Sequence, residues 1–245
     1  MDLSVVIPAF NEEKKIGRDV EAAAVFFSQA GFSGEVIVVD DGSEDRTTET
    51  ARGASINPGV VLKVIRLEKN SGKGAAVKEG VLRSTGEVVL YADSGTCIPY
   101  QNAARWIEKV GRGGLDMAMA SRRLKETVIC RDRPLKRRLL ARLFHQAAVA
   151  VAGLPSEITD SQCGFKIYKG EMARELFSGL ETSGFLFELE IILKALKKGF
   201  RLEEFPVEWT CDLDTRLRPA AHSAGVLKEL LRIRSIIKRY TKEVI

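Results

Sequence analysis

At 245 residues, 45% of them hydrophobic, the chain is long enough for one large domain or two small ones, each with a full core. No apolar run approaches the ~20 residues of a membrane span and no signal-peptide pattern opens the chain, so a protein made and kept in the cytosol is expected. Charge is uneven: residues 1–100 carry 11 Lys/Arg and 15 Asp/Glu, net −4, and the remainder carries 27 and 18, net +9, so the second part expects an anionic partner such as nucleic acid or an acidic membrane surface.

Ser4 to Ile7 is an apolar strand stopped by Pro8, after which Asn11-Glu12-Glu13 opens a helix. Ile16, Val20, Ala23, Ala24 and Phe27 recur at helical spacing, and Gly31 ends the helix. Glu35 to Val39 is a second strand running into Asp40-Asp41-Gly42-Ser43, and Thr47 to Ala51 reads as a short helix. Val60 to Leu67 is the third strand. Asn70-Ser71-Gly72-Lys73-Gly74 is a glycine loop leading into a helix from Ala75 to Arg83.

Val88 to Tyr91 is an unbroken apolar run, the pattern of a strand buried on both faces, and it ends in Ala92-Asp93-Ser94-Gly95. Four strands alternating with helices in 100 residues predict a doubly wound, mostly parallel α/β sheet. An acid just past a central strand, such as Asp93, sits where open α/β sheets place their ligands. It could equally cap the following helix. Asp40 and Asp41 could accept hydrogen bonds from a base or ribose, and each of these loops taken alone also reads as a tight turn. The glycine loop is not a P-loop, because GxxxxGK[ST] is absent, and no GxGxxG follows the first strand. The four cysteines, Cys97, Cys130, Cys163 and Cys211, lack paired spacing, which excludes a zinc knuckle and disfavours disulfides.

Taken together, VVIPAFNEE, VVDDGSEDRT, NSGKGAAVKEG and the strand ending at Asp93 resemble the family-2 glycosyltransferases of the GT-A fold. Downstream, MASRR, TDSQCGFKIY, FLFELEI and FPVEWT are similar to the enzymes that move a hexose from a nucleotide sugar to a polyprenyl phosphate, the dolichyl-phosphate glucosyl branch before the mannosyl one. The resemblance covers roughly residues 3–240. It implies a single GT-A domain over 1–245, with a nucleotide-binding half at 1–100, an acceptor half at 101–225 and a basic amphipathic C-terminal helix at 226–245.

Carried over residue by residue, the resemblance implies that Pro8, Ala9, Asn11 and Glu12 border the nucleoside and that Asp40 or Asp41 reads the base. Lys73 would line the nucleotide side. Asp93 matches the first Asp of the family's DxD motif, against the ribose and a diphosphate-bound Mg²⁺ or Mn²⁺. Arg122 would meet the phosphates, and Asp160, Gln162 and Lys166 would face the sugar and the reacting centre. Arg216 stands where relatives carry the lysine of a loop that closes over the diphosphate. The match departs at Gly95, which takes the place of the second Asp, and at Cys97, which takes that of a further ligand. Hard divalent ions need oxygen donors, and neither residue offers one from its side chain.

The basic half has its own pattern. Pro134 to Ala152 repeats Leu135, Leu139, Leu143 and Ala147 at helical spacing, with Lys136, Arg137, Arg138 and Arg142 between them. Such a helix lies either in an anionic headgroup layer or on the sheet as an ordinary surface helix. In the family it stands beside the acceptor phosphate, which places Arg137 with Arg122 at that group. Val226 to Tyr240 repeats the theme, so peripheral attachment at the cytoplasmic membrane face, or docking on a separate membrane protein, is expected. An RNA-binding sheet is not, because aromatic and basic residues do not interleave.

His145 and His222 lie in no Ser-His-Asp or metal-ligand arrangement. The implied chemistry is inverting hexosyl transfer, most closely of glucose, from a UDP- or GDP-sugar to polyprenyl or dolichyl phosphate. Two alternatives stay open: a GT-A transferase with a soluble acceptor, and a degenerate nucleotide-sugar binding protein.

Overall fold

The computed structural model describes residues 2–132, 134–212 and 223–244. In chain order the elements are β1 (Asp2–Ala9), α1 (Ile16–Ala30), β2 (Ser33–Asp40), α2 (Thr47–Arg52), β3 (Val60–Arg66), α3 (Lys73–Leu82) and β4 (Val88–Ala92). They continue with α4 (Ala104–Gly111), β5 (Met117–Ser121), β6 (Val128–Arg131), α5 (Leu135–Ala147), β7 (Phe165–Lys169) and α6 (Gly170–Ser178). The last are α7 (Phe187–Lys197), β8 (Leu202–Pro206), β9 (Glu208–Thr210) and α8 (Ser223–Val244).

Seven strands form one sheet in the order β3-β2-β1-β4-β7-β5-β8, and β6 pairs with β9 in a small second sheet. All pairings in the large sheet are parallel except those of β7, which runs antiparallel to β4 and β5. The expected mostly parallel architecture is present, and the sheet runs through both the 1–100 and the 101–225 segments.

Period-two alternation decides which side chains meet which helices. Leu3, Val5 and Ile7 of β1, Val36 and Val38 of β2, and Val88 and Leu90 of β4 pack with Ile16, Val20 and Phe27 of α1 and Ile107 of α4. Val6, Ile37, Val39, Val89 and Tyr91 point the other way, onto α3, α6, α7 and α8. The chain moves outward from β1 to β2 and β3 with α1 and α2 on one face. It then crosses to β4, on the far side of β1, with α3 on the other face. That reversal makes a topological switch point between the carboxyl ends of β1 and β4, where such sheets open a ligand crevice.

Three expected elements differ. The first helix begins at Ile16 rather than at Asn11. The backbone N–H groups of Asn11, Glu12 and Glu13 donate instead to Ser43 Oγ (2.7 Å), Thr47 Oγ1 (2.7 Å) and Asp45 Oδ2 (3.2 Å), and Asn11 has φ +53°. The helix from Pro134 is α-helical only to Ala147, followed by one π-helical turn, Ala148–Ala152. None of the α5 side chains is buried; Leu135, Leu139 and Leu143 are 78%, 59% and 52% exposed, so α5 is not a helix laid on the sheet. The tail helix α8, by contrast, sinks Leu230, Ile233, Ile236 and Ile237 into the core, leaving Leu227 and Leu231 outside. Much of its apolar face therefore packs against protein rather than facing a membrane.

Candidate active site

At the switch point, the end of β4, the start of α3 and the first turn of α7 come together. Gly72 precedes α3 with φ +99°, and a Cβ there would lie 2.5 Å from the Ser183 carbonyl. Only glycine allows this close approach. It starts α3 at Lys73, whose ammonium reaches Asp93 Oδ1 at 2.9 Å and Oδ2 at 3.1 Å, and Glu188 Oε1 at 3.6 Å. Tyr91 donates its hydroxyl to Asp93 Oδ1 (2.5 Å). Glu188, on the first turn of α7, also pairs with Lys166, which donates to the Cys163 carbonyl as well (2.5 Å).

Lys166 is wholly buried and neutralises Glu188 as its ion-pair partner. Burial works against the Lys73 ammonium, yet Asp93 and Glu188 outweigh it and raise its pKa. Burial and the same two carboxylates push the Tyr91 phenol well above its usual value, so it stays a hydrogen-bond donor. Asp93 remains 38% exposed at its side chain, and Gly164 is pressed so closely against its carboxylate that a Cβ there would overlap it.

A second pair stands where β5 ends. Arg122 donates to Asp160 through Nε (2.7 Å), one Nη (2.7 Å) and its backbone N–H (3.0 Å), and the same Nη reaches the Gln162 carbonyl (2.7 Å). Burial would raise the Asp160 pKa, but the Arg122 charge holds the carboxyl well below its usual range. Asp160 is oriented from behind by Glu204, which accepts from its backbone N–H (2.8 Å) and from Thr159 N (2.8 Å) and Oγ1 (2.9 Å). Asp160 therefore serves as a fixed counter-charge for Arg122. The other Nη of Arg122 makes no hydrogen bond to a described residue, which leaves N–H groups for an anion.

The remaining sequence candidates fall at the carboxyl ends of β1 and β2. Pro8 and Ala9 close β1, and Asp41 N–H donates to the Ala9 carbonyl (2.8 Å). Asn11 Oδ1 accepts from Glu44 N–H (2.8 Å), and Glu12 pairs with Lys15 (3.5 Å). Asp40 is fully buried, accepting from Ser43 N–H (2.9 Å) and the Thr48 hydroxyl, so it holds its own turn. Asp41 accepts from Ser71 N–H (2.7 Å) and Gly72 N–H (2.9 Å), tying the glycine loop to β2. Arg137 lies on α5, joined to the crevice region by Arg123, which donates to the Ala141 carbonyl (2.8 Å). Arg216 lies outside the described residues.

Glu188, Tyr91 and Gly164 complete the Asp93 cluster, and none of them stood out as a site residue in the sequence. Glu188 carries a signal in retrospect, as an acid inside the apolar run FLFELEI. Asp19 carries a similar one, as an acid on the apolar stripe of α1; it is buried and accepts from Gly95 N–H (2.8 Å) and Thr96 Oγ1 (2.5 Å), fixing the loop after Asp93.

A mostly parallel sheet of this order, with an acid and a lysine at its switch point and the buried Arg122–Asp160 ion pair at the end of β5, has its charged side chains where open α/β sheets bind ligands. The chain belongs to glycosyl transferase family 2, whose family model matches residues 4–177. It is similar to the dolichyl-phosphate beta-glucosyltransferase of Dictyostelium discoideum, 31% identical over 244 residues that cover 95% of this chain and 73% of that protein. The human protein of the same name is 33% identical over 249 residues, covering 95% and 74%. Among solved structures it is similar in fold to glucosyl-3-phosphoglycerate synthase from Mycobacterium tuberculosis in complex with Mn²⁺ and UDP-glucose. The TM-score is 0.69 at 18% identity, with 96% of this chain and 78% of that one covered.

The Mycobacterium tuberculosis structure holds Mn²⁺, but the donors here fit a divalent ion poorly. Asp93 already engages Lys73 and Tyr91, Gly95 has no side chain, and burial raises the Cys97 thiol to about 11, with Asp93 and Asp212 adding to the rise. Among the described residues no group of three or more His, Cys, Asp or Glu side chains could hold a metal ion.

Proposed function

We propose that this protein transfers glucose from UDP-glucose to a polyprenyl phosphate of the dolichyl type, with inversion at the anomeric carbon. The observation that carries this reading is α5: a helix of exposed leucines and cations, anchored through Arg123 beside the Arg122–Asp160 pair. A lipid phosphate needs an apolar surface for its chain and cations for its headgroup, both next to the transfer site. The named activity of the family relatives supports the same acceptor and sugar.

The acceptor oxygen is already ionised at neutral pH, so no strong general base is required. What the protein must supply is positioning and stabilisation of charge. Arg122, held rigid by Asp160, offers its remaining N–H groups to one anionic reactant, and Arg137 on α5 offers another cation to the acceptor. Lys73 and Asp93 sit at the switch point to meet the donor, with Asp41 and the carboxyl end of β1 toward its nucleoside. Asp93 and Glu188 keep Lys73 charged and in place.

Among the described residues no helix is long and apolar enough to cross a membrane. We place the protein peripherally at the cytoplasmic membrane face, through α5. The test is purified protein with short-chain polyprenyl phosphate and labelled UDP-glucose, UDP-galactose and GDP-mannose, with phosphoglyceric acid as a soluble acceptor. An organic-phase product formed fastest from UDP-glucose is expected. Transfer only to the soluble acceptor, or from no donor, would overturn the reading.

A further inference from the structure

A second polar feature lies beside the Asp93 loop, on the side of α1. Gly95 has φ +97°, and a Cβ built there would sit 3.0 Å from Asp212 Oδ2 and 3.9 Å from Lys15 Cδ. The place of a side chain at 95 is thus filled by the Asp212 carboxylate. That carboxylate in turn accepts a hydrogen bond from the Lys15 ammonium at 2.7 Å. Next to Asp93, where a divalent ion would require further oxygen donors, the carboxylate that fills this place is already engaged by an ammonium.

Around the pair opens a cavity of about 230 Å³ whose lining includes Lys15, Arg18, Arg131, Asp212, Thr96 and Thr210. Lys15 is shared between the Asp212 and Glu12 carboxylates, so the cavity's further positive charge comes from Arg18 and Arg131. Its volume is below the roughly 300–1,000 Å³ of pockets that enclose a whole ligand, so it suits a phosphate-sized group with the rest of the molecule outside. The walls are stitched together. Asp19 on α1 holds Gly95 and Thr96, Thr210 N–H donates to the Cys97 carbonyl (2.9 Å), and Arg131 Nε donates to the Cys211 carbonyl (2.9 Å). Cations held in advance around a small opening need little reorganisation to receive an anion.

We propose that this pocket receives a phosphate of the donor's diphosphate, so that Lys15, Arg18 and Arg131 neutralise it in place of a carboxylate-held divalent ion. The inference rests on the nucleotide-sugar donor reading above. It assigns the charge balance of the departing diphosphate to Lys15 just before α1, Arg18 of α1 and Arg131 of β6, apart from the Arg122–Asp160 pair.

Calorimetry on the intact protein tests it, with UDP, GDP and the two free nucleosides, first in EDTA and then with Mg²⁺ or Mn²⁺. The preferred nucleoside diphosphate should bind in EDTA within about threefold of its affinity with metal. Arg18 and Arg131 are exposed, so the Arg18→Gln/Arg131→Gln double variant should keep the wild-type unfolding midpoint. It should lose on the order of tenfold in diphosphate affinity while nucleoside binding stays unchanged. If that variant is destabilised, Arg18→Glu alone carries the same comparison. Diphosphate binding that vanishes in EDTA and returns with metal, or a folded variant that binds as wild type, overturns the inference alone. A wild-type protein that binds neither diphosphate in either condition overturns the donor reading and the inference with it.

Discussion

Asp160→Asn should be among the most destabilising single changes at the site. The Asp160 side chain is 4% exposed and that of Arg122 15%, and three N–H groups of Arg122 converge on the carboxylate. An amide at 160 keeps the shape but offers one acceptor oxygen and turns an NH₂ toward the guanidinium, leaving a buried charge without its counter-charge. Breaking a buried pair from one side costs about 3–5 kcal/mol. A Coulomb estimate for unit charges ~4 Å apart at an effective dielectric of ~20 gives about 4 kcal/mol. Against a total stability of about 5–15 kcal/mol, such a loss is severe.

Urea unfolding at pH 7 is the assay. With m of about 2–3 kcal/mol/M, the midpoint should fall by about 1–2 M. Arg122→Met/Asp160→Leu should recover much of that loss, because removing both charges leaves neither stranded. The pH dependence has a defined sign. The carboxyl is depressed below its ordinary 3.8, so its contribution is fully present above that value and lost only as pH falls through the lower, folded value. The gap between wild type and Asp160→Asn should therefore be flat from pH 5 to 8 and close below about pH 4. A variant within about 1 kcal/mol of wild type at pH 7, or a gap that closes near neutrality, refutes the assignment.

Gly164→Ala should displace the Asp93 carboxylate that its Cβ would overlap, costing about 1–3 kcal/mol in stability and on the order of 10²-fold in turnover; wild-type kinetics would show that Asp93 need not sit where it does. Glu188→Gln leaves the buried Lys166 ammonium without its ion-pair partner, and thermal unfolding should register a loss of about 3–5 kcal/mol. Leu139→Ser/Leu143→Ser on the exposed face of α5 should change folding stability by less than about 0.5 kcal/mol yet abolish sedimentation with anionic vesicles, which high salt should also reverse for the wild type. Unchanged vesicle binding would remove α5 as the membrane contact.

Strands β1, β2, β3 and β4 were legible because each is an apolar run closed by turn chemistry, and the alternation of strand and helix dictated a parallel sheet. What local pattern could not supply was long-range hydrogen bonding. Asn11-Glu12-Glu13 has the composition of a helix start, but its N–H groups are taken by residues 43–47, more than 30 positions away, so the helix waits for Ile16. Similarly, the basic, leucine-bearing periodicity of α5 and α8 is alike in sequence. Only tertiary packing separates them, since α8 finds α7 and the π-helical turn to cover its apolar stripe, and no α5 side chain is buried.

The same distinction governs charge. The net −4 of the first 100 residues would appear to repel an anionic donor. Yet the acids at the carboxyl edge are spent on the protein itself: Asp40 on Ser43 and Thr48, Asp41 on two N–H groups of the glycine loop, Asp19 on the loop after Asp93. Carboxylates satisfied by N–H and O–H groups at short range project little field beyond them, whereas Arg18 is exposed and lines a cavity. Potential at a site depends on which charges are already paired within a few ångströms and which are screened by solvent. A net count of charges along a half-chain therefore does not fix the sign of the potential at any one of its sites.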